Sequence, residues 1–218
     1  MEKAFEYLNH YIKNDSIIGM GSGSTIERYL PVMKNYIEKN NLDVTFLSTS
    51  LKTEKALEKL GLEVIFDAES IDVAIDGADQ FTSECIAVKG GGGSLLREKQ
   101  VDYFSEKIIL IAHMDKKVTD FNHVPIPVEI NQYLYKMTRR IIEETGASTT
   151  MRTGDEGLFV TDNGNFIIDC TYGSIDDLHA LQQKLLNIPG VVETGIFDKY
   201  IEEIISFNDD AFKTLKQL

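Results

Sequence analysis

DVAIDGADQFTSECIAVKGGGGSLLREK, residues 72 to 99, is the stretch around which the rest of the chain arranges itself. Apolar Val73-Ala74-Ile75 stops at Asp76-Gly77, which places the Asp76 carboxylate at the carboxyl end of a strand, the edge where open α/β sheets hold their ligands. A second acid, Asp79, follows within the same turn. Lys89 then precedes four successive glycines, Gly90 to Gly93, that lead into a helix predicted to begin near Ser94. Four glycines pack nothing and lose more backbone entropy on folding than other residues, so they call for a reason. Close approach of their amide N–H groups to a bound anion is one. Glu98 falls on the first turns of that helix with Ser94, Leu95, Val101 and the like-charged Asp102 three and four positions away, none of them a partner. With Ser94 as cap, the third helical residue is Arg97, so Glu98 completes no capping box. A carboxylate that does so little for its helix is a candidate for chemistry.

Upstream, Ala4, Phe5, Leu8, Tyr11 and Ile12 have helical spacing and predict an amphipathic first helix over residues 1–14. Ser16-Ile17-Ile18 reads as a buried strand and is followed by GMGSGST, Gly19 to Thr25. In place of the last glycine of the dinucleotide fingerprint stands Ser24, and the next strand, Val44 to Leu47, ends in Ser48-Thr49-Ser50 where a ribose-binding acid is required. No GK[ST] follows any glycine run, so the Walker pattern is absent as well. What is left is a hydroxyl-rich loop suited to a phosphate or a sugar hydroxyl; a tight turn capped by Ser24 explains the same residues equally well. Further strands are predicted at Glu63–Phe66, Asp72–Ile75, Ile86–Val88 and Ile108–Ala112, with a helix at Thr53–Leu60. This alternation implies α/β architecture, a mainly parallel, helix-covered, Rossmann-like sheet.

The character changes at VPIPVEI, residues 124 to 130, where Pro125 and Pro127 mark a boundary. Beyond it we expect strand Val128–Ile130, helix Tyr133–Thr145, strand Thr149–Arg152 and a hairpin of Leu158–Val160 with Phe166–Cys170 about Asn163-Gly164. Helix Ile175–Asn187 and strand Val191–Phe197 follow. That order suits a smaller ferredoxin-like α+β domain over residues 125–198. Residues 199–218, with a strand at Ile201–Ser206 and a short tail helix, are expected to rejoin residues 1–124.

Composition narrows the function classes. Acidic residues outnumber basic ones 35 to 22, a net charge of -13, which argues against nucleic acid or an anionic membrane as partner. A small anionic substrate remains compatible, given a local positive site. Cys85 and Cys170 form no CxxC pair, and His10, His113, His123 and His179 show no ligand spacing, so neither a disulfide nor a metal is expected. No secretory segment opens the chain and the longest apolar run, Ile108 to Ala112, is far too short to span a bilayer, which predicts a cytoplasmic protein.

In order, GMGSGST, STSLKTEKALEKLG, DGAD, KGGGGSLLREK, PIPVEI, TDNGNFIIDC and PGVVETGIF, between residues 19 and 198, resemble type A ribose-5-phosphate isomerase. The resemblance implies interconversion of ribose 5-phosphate and ribulose 5-phosphate in the pentose phosphate pathway, without metal or cofactor, by a homodimer or homotetramer. Carried over, the catalytic base falls on Glu98, the sugar-contacting acids on Asp76 and Asp79, and the lysine before the glycines on Lys89. Substrate contacts fall on Ser22, Gly23, Ser24 and Thr25, on Gly77 and Ala78 between the two acids, on Gly90, Gly91 and Gly92, and on Lys116. Three departures stand out: Gln80 where the family usually carries Glu, Ser22 for Thr, and His113-Met114-Asp115 before the later lysine in place of an Asp-x-Ser pattern.

The implied chemistry moves a proton between C2 and C1 through an enediolate. It needs one base above both carbons and donors at the oxygens, for which Lys89 and the Gly90–Gly93 amides are available. Two rivals come from other classes. A non-catalytic sugar-phosphate sensor has no use for a base at Glu98, and an acyl-CoA transferase-like enzyme, with an acylated glutamate, belongs to generally longer chains that lack the DGAD-to-REK block.

Overall fold

The computed structural model describes residues 1–216. Six α-helices, α1 (Glu2–Leu8), α2 (Ser24–Asn40), α3 (Leu51–Lys59), α4 (Leu95–Phe104), α5 (Tyr135–Glu143) and α6 (Leu178–Leu186), pack on two main sheets among the described residues. The larger sheet has seven strands. From one edge to the other they are Phe212–Lys216, Ile201–Phe207, Ile108–His113, Val73–Gly77, Ser16–Met20, Val44–Ser48 and Glu63–Ile65. Every pairing is parallel except that of the last two strands of the chain.

Strand periodicity of two sorts its side chains into two layers. Val73, Ile75, Ile109 and Ile111 join Phe5, Tyr29, Met33 and Leu57 in one core, whereas Ala74, Ile108, Leu110 and Ala112 join Phe81 and Ile204 in another. Burial on both faces is why these strands read as unbroken apolar runs rather than alternating ones.

The second sheet is antiparallel, in the order Val191–Thr194, Ile126–Ile130, Phe166–Thr171, Ser148–Met151. With α5 and α6 as its crossover helices this is the ferredoxin-like order. Pro127 stands inside an interior strand rather than at a boundary; its carbonyl accepts the Gly195 amide, 2.7 Å away, and the return bond that proline cannot donate is not missed, because the Gly195 carbonyl accepts the Lys89 amide at 2.9 Å instead. A third, short sheet joins Gln80–Phe81, Ala87–Val88 and Ile196–Phe197.

Several further expectations need correction. Ala87–Val88 belongs to that short antiparallel sheet and not to the parallel one, because the Asp79 amide bonds the Val88 carbonyl at 3.0 Å and folds the stretch back. The hairpin about Asn163-Gly164 shrinks to one bridge, Val160 to Phe166, since Phe166–Thr171 is taken by the strands at 126–130 and 148–151. Val191–Phe197 divides at Gly195 between two sheets. Over the described part of the tail there is a strand, Phe212–Lys216, in place of a helix: it pairs with Ile201–Phe207 and its Phe212 ring packs 5.3 Å from that of Tyr7. Helix α3 also starts two residues earlier than expected because the Ser50 hydroxyl accepts the Thr53 amide, 3.1 Å away, as an N-cap.

Candidate active site

The parallel sheet runs outward in both directions from Ser16–Met20 and Val73–Gly77, so the two loops that follow these strands diverge and leave a crevice at their carboxyl ends. Residues 21–25 form one lip and 77–79 the other. A cavity of about 250 Å³ opens there. Ser22, Gly23, Ser24 and Thr25 make one wall and Gly77, Ala78 and Asp79 another; Lys89, Gly90, Gly92 and Glu98 close it from the glycine loop and α4, with Lys116 at the side.

Gly23 has φ +100°, a backbone conformation that suits glycine, and it serves as the helix N-cap without any side-chain bond. Ser24 is therefore the first helical residue and not a cap, which frees its hydroxyl toward the cavity. Gly21 is required for closeness: a Cβ there would overlap the Asp76 carboxyl. The Ser48 and Ser50 hydroxyls are spent on structure, as Ser48 bonds the Ser50 carbonyl and Ser50 caps α3, while Thr53 bonds the Gly21 carbonyl from the far side of the loop.

At the cavity floor Lys89, 2% exposed, joins the elements. Its Nζ lies 2.8 Å from Asp76 Oδ2 and 3.2 Å from Glu98 Oε2, and donates to the Gly77 carbonyl at 2.7 Å. The remaining Glu98 oxygen, Oε1, accepts the Ser22 hydroxyl at 2.8 Å. Asp76 Oδ1 accepts the amides of Ser22 at 3.1 Å and Gly77 at 2.6 Å. Asp79 accepts the Gly91 amide at 2.6 Å, and Lys116 donates to the Ala78 carbonyl at 2.7 Å. The Phe197 ring lies between two lysines, 5.2 Å from Lys89 Nζ and 4.7 Å from Lys99 Nζ.

Burial dominates the electrostatics. It pushes the Glu98 carboxyl up to about 7, helped by the Asp76 charge and opposed by Lys89 and the Ser22 hydroxyl. Burial likewise raises Asp76 to about 6 against Lys89, and Asp102 to about 7 against Lys89 and Lys99. For Lys89 burial alone favours loss of the proton, but Asp76, Glu98 and Asp102 together outweigh it and raise its pKa, so it stays an ammonium. The arrangement offers a carboxylate that titrates near neutrality beside a fixed cation. Such a base can take and return a proton while the cation steadies negative charge.

The ribose 5-phosphate isomerase A (phosphoriboisomerase A) family model matches residues 45–211. The chain belongs to this family. It is 37% identical to ribose-5-phosphate isomerase A 2 of Oceanobacillus iheyensis over 95% of this chain and 93% of that one, and 37% identical to the Thermoplasma volcanium isomerase over 92% and 85%. Among solved structures, ribose 5-phosphate isomerase A of Methanocaldococcus jannaschii superposes with a TM-score of 0.93 at 33% identity, covering 98% of this chain and 96% of that chain. A D-ribose-5-phosphate isomerase in complex with phospho-erythronic acid also reaches 0.93, at 28% identity, covering 98% and 96%.

Of the residues picked out from sequence, all but two line the cavity. Asp76, 1% exposed, sits behind Lys89, and Gly91 turns its amide to Asp79. Two side chains escaped notice. Asp102, one turn beyond Glu98 and 3% exposed, has neither carboxyl oxygen hydrogen-bonded among the described residues. Only its like charge to Glu98 hinted at it. Arg152, from the antiparallel sheet, reaches the glycine loop, and nothing in the local sequence signals that.

Other features lie outside this cluster. A larger cavity of about 680 Å³, bordered by Leu47, Phe66, Arg97 and Phe104, shares no residue with the first and lacks a lysine–carboxylate grouping, so its size does not make it the reaction site. Among the described residues no group of three or more His, Cys, Asp or Glu is arranged to hold a metal, both cysteines are free and buried, and no helix is long and apolar enough to cross a membrane. His113 and Asp115 pair at 2.7 Å beside the short 3-10 turn that carries Lys116; nothing in the structure explains Gln80.

Proposed function

We propose that this chain interconverts D-ribose 5-phosphate and D-ribulose 5-phosphate, with Glu98 carrying the proton between C2 and C1. The observation that supports this most is the pairing of Glu98 with Lys89 on the wall of a small polar cavity, one Glu98 oxygen held by Ser22. Held there, the carboxylate has its orientation set before substrate arrives. Its pKa of about 7 suits a group that must both accept and release a proton near neutral pH.

A positioned base accounts for ~10²–10⁴ in rate, roughly 3–5 kcal/mol, whereas enzymes lower barriers by ~8 kcal/mol or more. Lys89 and the Gly90 and Gly92 amides, which have no protein partner among the described residues, supply donors for the enediolate oxygens. Each such donor is worth about 3 kcal/mol. Asp79, which borders the cavity, orients sugar hydroxyls and assists ring opening; Asp76 acts from behind by holding Lys89. The hydroxyls of Ser24 and Thr25 at the α2 N-terminus, with Lys116, receive the phosphate against the protein's overall negative charge.

We also infer a catalytic unit formed by residues 1–124 and 199–218 and a second unit at 125–198, in a cytoplasmic homo-oligomer serving the pentose phosphate pathway. Return of the Ile201–Phe207 strand to the parallel sheet supports the division.

A proton shuttle through an enediolate exposes the migrating hydrogen to solvent. Partial conversion of ribose 5-phosphate in D₂O should place deuterium at C1 of ribulose 5-phosphate, read by NMR, and Glu98→Gln should give almost none. Product free of solvent deuterium, with no primary isotope effect from C2-deuterated substrate, would contradict Glu98 as the shuttle.

A further inference from the structure

Arg152 lies one residue past the strand Ser148–Met151, in the antiparallel sheet, yet its guanidinium reaches the glycine loop of the cavity. Its Nη1 donates to the Gly90 carbonyl at 2.6 Å and to the Gly91 carbonyl at 3.1 Å. Its other edge is held by Asp169: Nε donates to Oδ2 at 3.0 Å, and Nη2 pairs with Oδ1. Asp169 is itself fixed in the strand Phe166–Thr171, in register with Pro127 and Thr150. The guanidinium is thus gripped on one side by a rigid strand and grips two successive peptide groups on the other.

The consequence follows from the planarity of the trans peptide, in which C=O and N–H point in opposite directions. Drawing the Gly90 carbonyl toward Arg152 turns the Gly91 N–H away from it, and that N–H is the one bonded to Asp79 at 2.6 Å. Drawing the Gly91 carbonyl the same way turns away the N–H of Gly92, which borders the cavity and has no protein partner among the described residues. Glycines lack the Cβ that limits backbone choice, so a run of four cannot hold these planes by itself. The bond from the Gly93 amide to the Gly90 carbonyl, 3.0 Å, closes the turn and with Asp79 helps to hold the Gly90–Gly91 plane, but the Gly91–Gly92 plane, which carries the Gly92 amide, is held by Arg152.

We infer that Arg152, held by Asp169, is a positioning residue of the isomerisation: it aims the Gly92 amide at the developing oxyanion and the Gly91 amide at Asp79. This rests on the isomerase assignment. The donor set exists only while the antiparallel sheet is docked, which gives that sheet a part in the chemistry of a crevice built by the parallel one.

The test uses Arg152→Lys, which keeps the charge but not the fork, and Arg152→Ala. For Arg152→Lys, kcat should fall by about tenfold or more while KM for ribose 5-phosphate moves by less than about threefold, since the misaimed donor matters most in the transition state. Affinity for phospho-erythronic acid, whose carboxylate carries the kind of oxyanion charge that an enediolate develops, should fall more than affinity for ribose 5-phosphate. Guanidinium chloride at millimolar concentration should restore part of the rate of Arg152→Ala and none of that of Glu98→Gln. A wild-type kcat in Arg152→Lys would overturn the inference. So would a loss of thermal stability with equal losses of both affinities and no rescue, because the pair would then only fasten two sheets together. A wild-type protein that neither turns over nor binds these ligands would instead defeat the isomerase assignment itself.

Discussion

Helices α2 and α4 both spring from loops that line the cavity, yet they bury opposite kinds of side chain. Helix α2 turns Ile26, Tyr29, Leu30, Met33 and Ile37 inward, an apolar stripe at helical spacing. Helix α4 turns Leu95, Glu98 and Asp102 inward and leaves Tyr103 and Phe104 65% and 66% exposed. Burying a carboxylate costs several kcal/mol unless a partner offsets it, and α4 buries two near one another. It stays in place through the Leu95 anchor, through Lys89, and through Lys99, whose Nζ bonds Glu193 and the carbonyls of Thr194 and Ile196. The first helix serves folding, whereas the second gives up part of that contribution to hold acids where they can titrate.

The largest expected effect breaks α4's side of this contrast. Glu98→Gln keeps the shape and the bond from Ser22 but removes the base, so kcat should fall at least ~10²-fold while the thermal midpoint hardly moves. Retention of more than about a tenth of the rate would dismiss Glu98 as base. Met33→Ala on α2 should do the reverse. A fully buried methionine cut to alanine costs about 2–5 kcal/mol, seen as a lowered urea midpoint, with kcat unchanged below the transition. A change in kcat without loss of stability would show that the division of labour between the helices is false.

This contrast was half legible in the sequence. Glu98 stood out because no residue three or four positions away gave it a partner, and Lys89 and the two aspartates stood beside glycines that packing does not explain. The parallel order was legible because strands buried on both faces carry continuous apolar runs. Pairing that depends on distant strands was not. Phe166–Thr171 prefers the strands at 126–130 and 148–151 to the near one that an Asn-Gly turn suggests, and the tail becomes a strand because the edge at Ile201–Phe207 is open to it. Arg152 is 62 residues from Gly90 in sequence, and only the docking of one sheet on the other brings them together. A turn capped by Ser24 was one of two readings of its loop, but Gly23 takes the cap position, so the helix starts one residue earlier than that reading has it, at Ser24, and leaves that hydroxyl for the cavity.

The smallest expected effect concerns Asp102, the buried acid of α4 that the proposed reaction does not use. Its carboxyl is raised from the ordinary 3.8 to about 7, chiefly by burial, so between those values the folded protein holds a proton that the unfolded chain has released. The stability linked to that proton is fully present below about pH 4 and is lost as pH rises through about 7. Asp102→Asn cannot ionise and escapes this loss. Its melting temperature should therefore exceed that of the wild type at pH 8, by about 2–4 °C for each kcal/mol recovered, and the gap should shrink toward pH 5. Asp76 and Glu98 are raised as well, but both remain in the variant, so the difference between the two proteins isolates Asp102. The rising limb of kcat/KM, set by Glu98 near pH 7, should stay in place or move to lower pH, because removing an acid cannot raise the pKa of the acid beside it. A gap that stayed constant from pH 8 to pH 5 would mean that Asp102 is ionised and paired in the folded protein. Both buried acids of α4 would then be held as anions by Lys89 and Lys99, and the helix would differ from α2 in charge alone, with no group left neutral on its inner face.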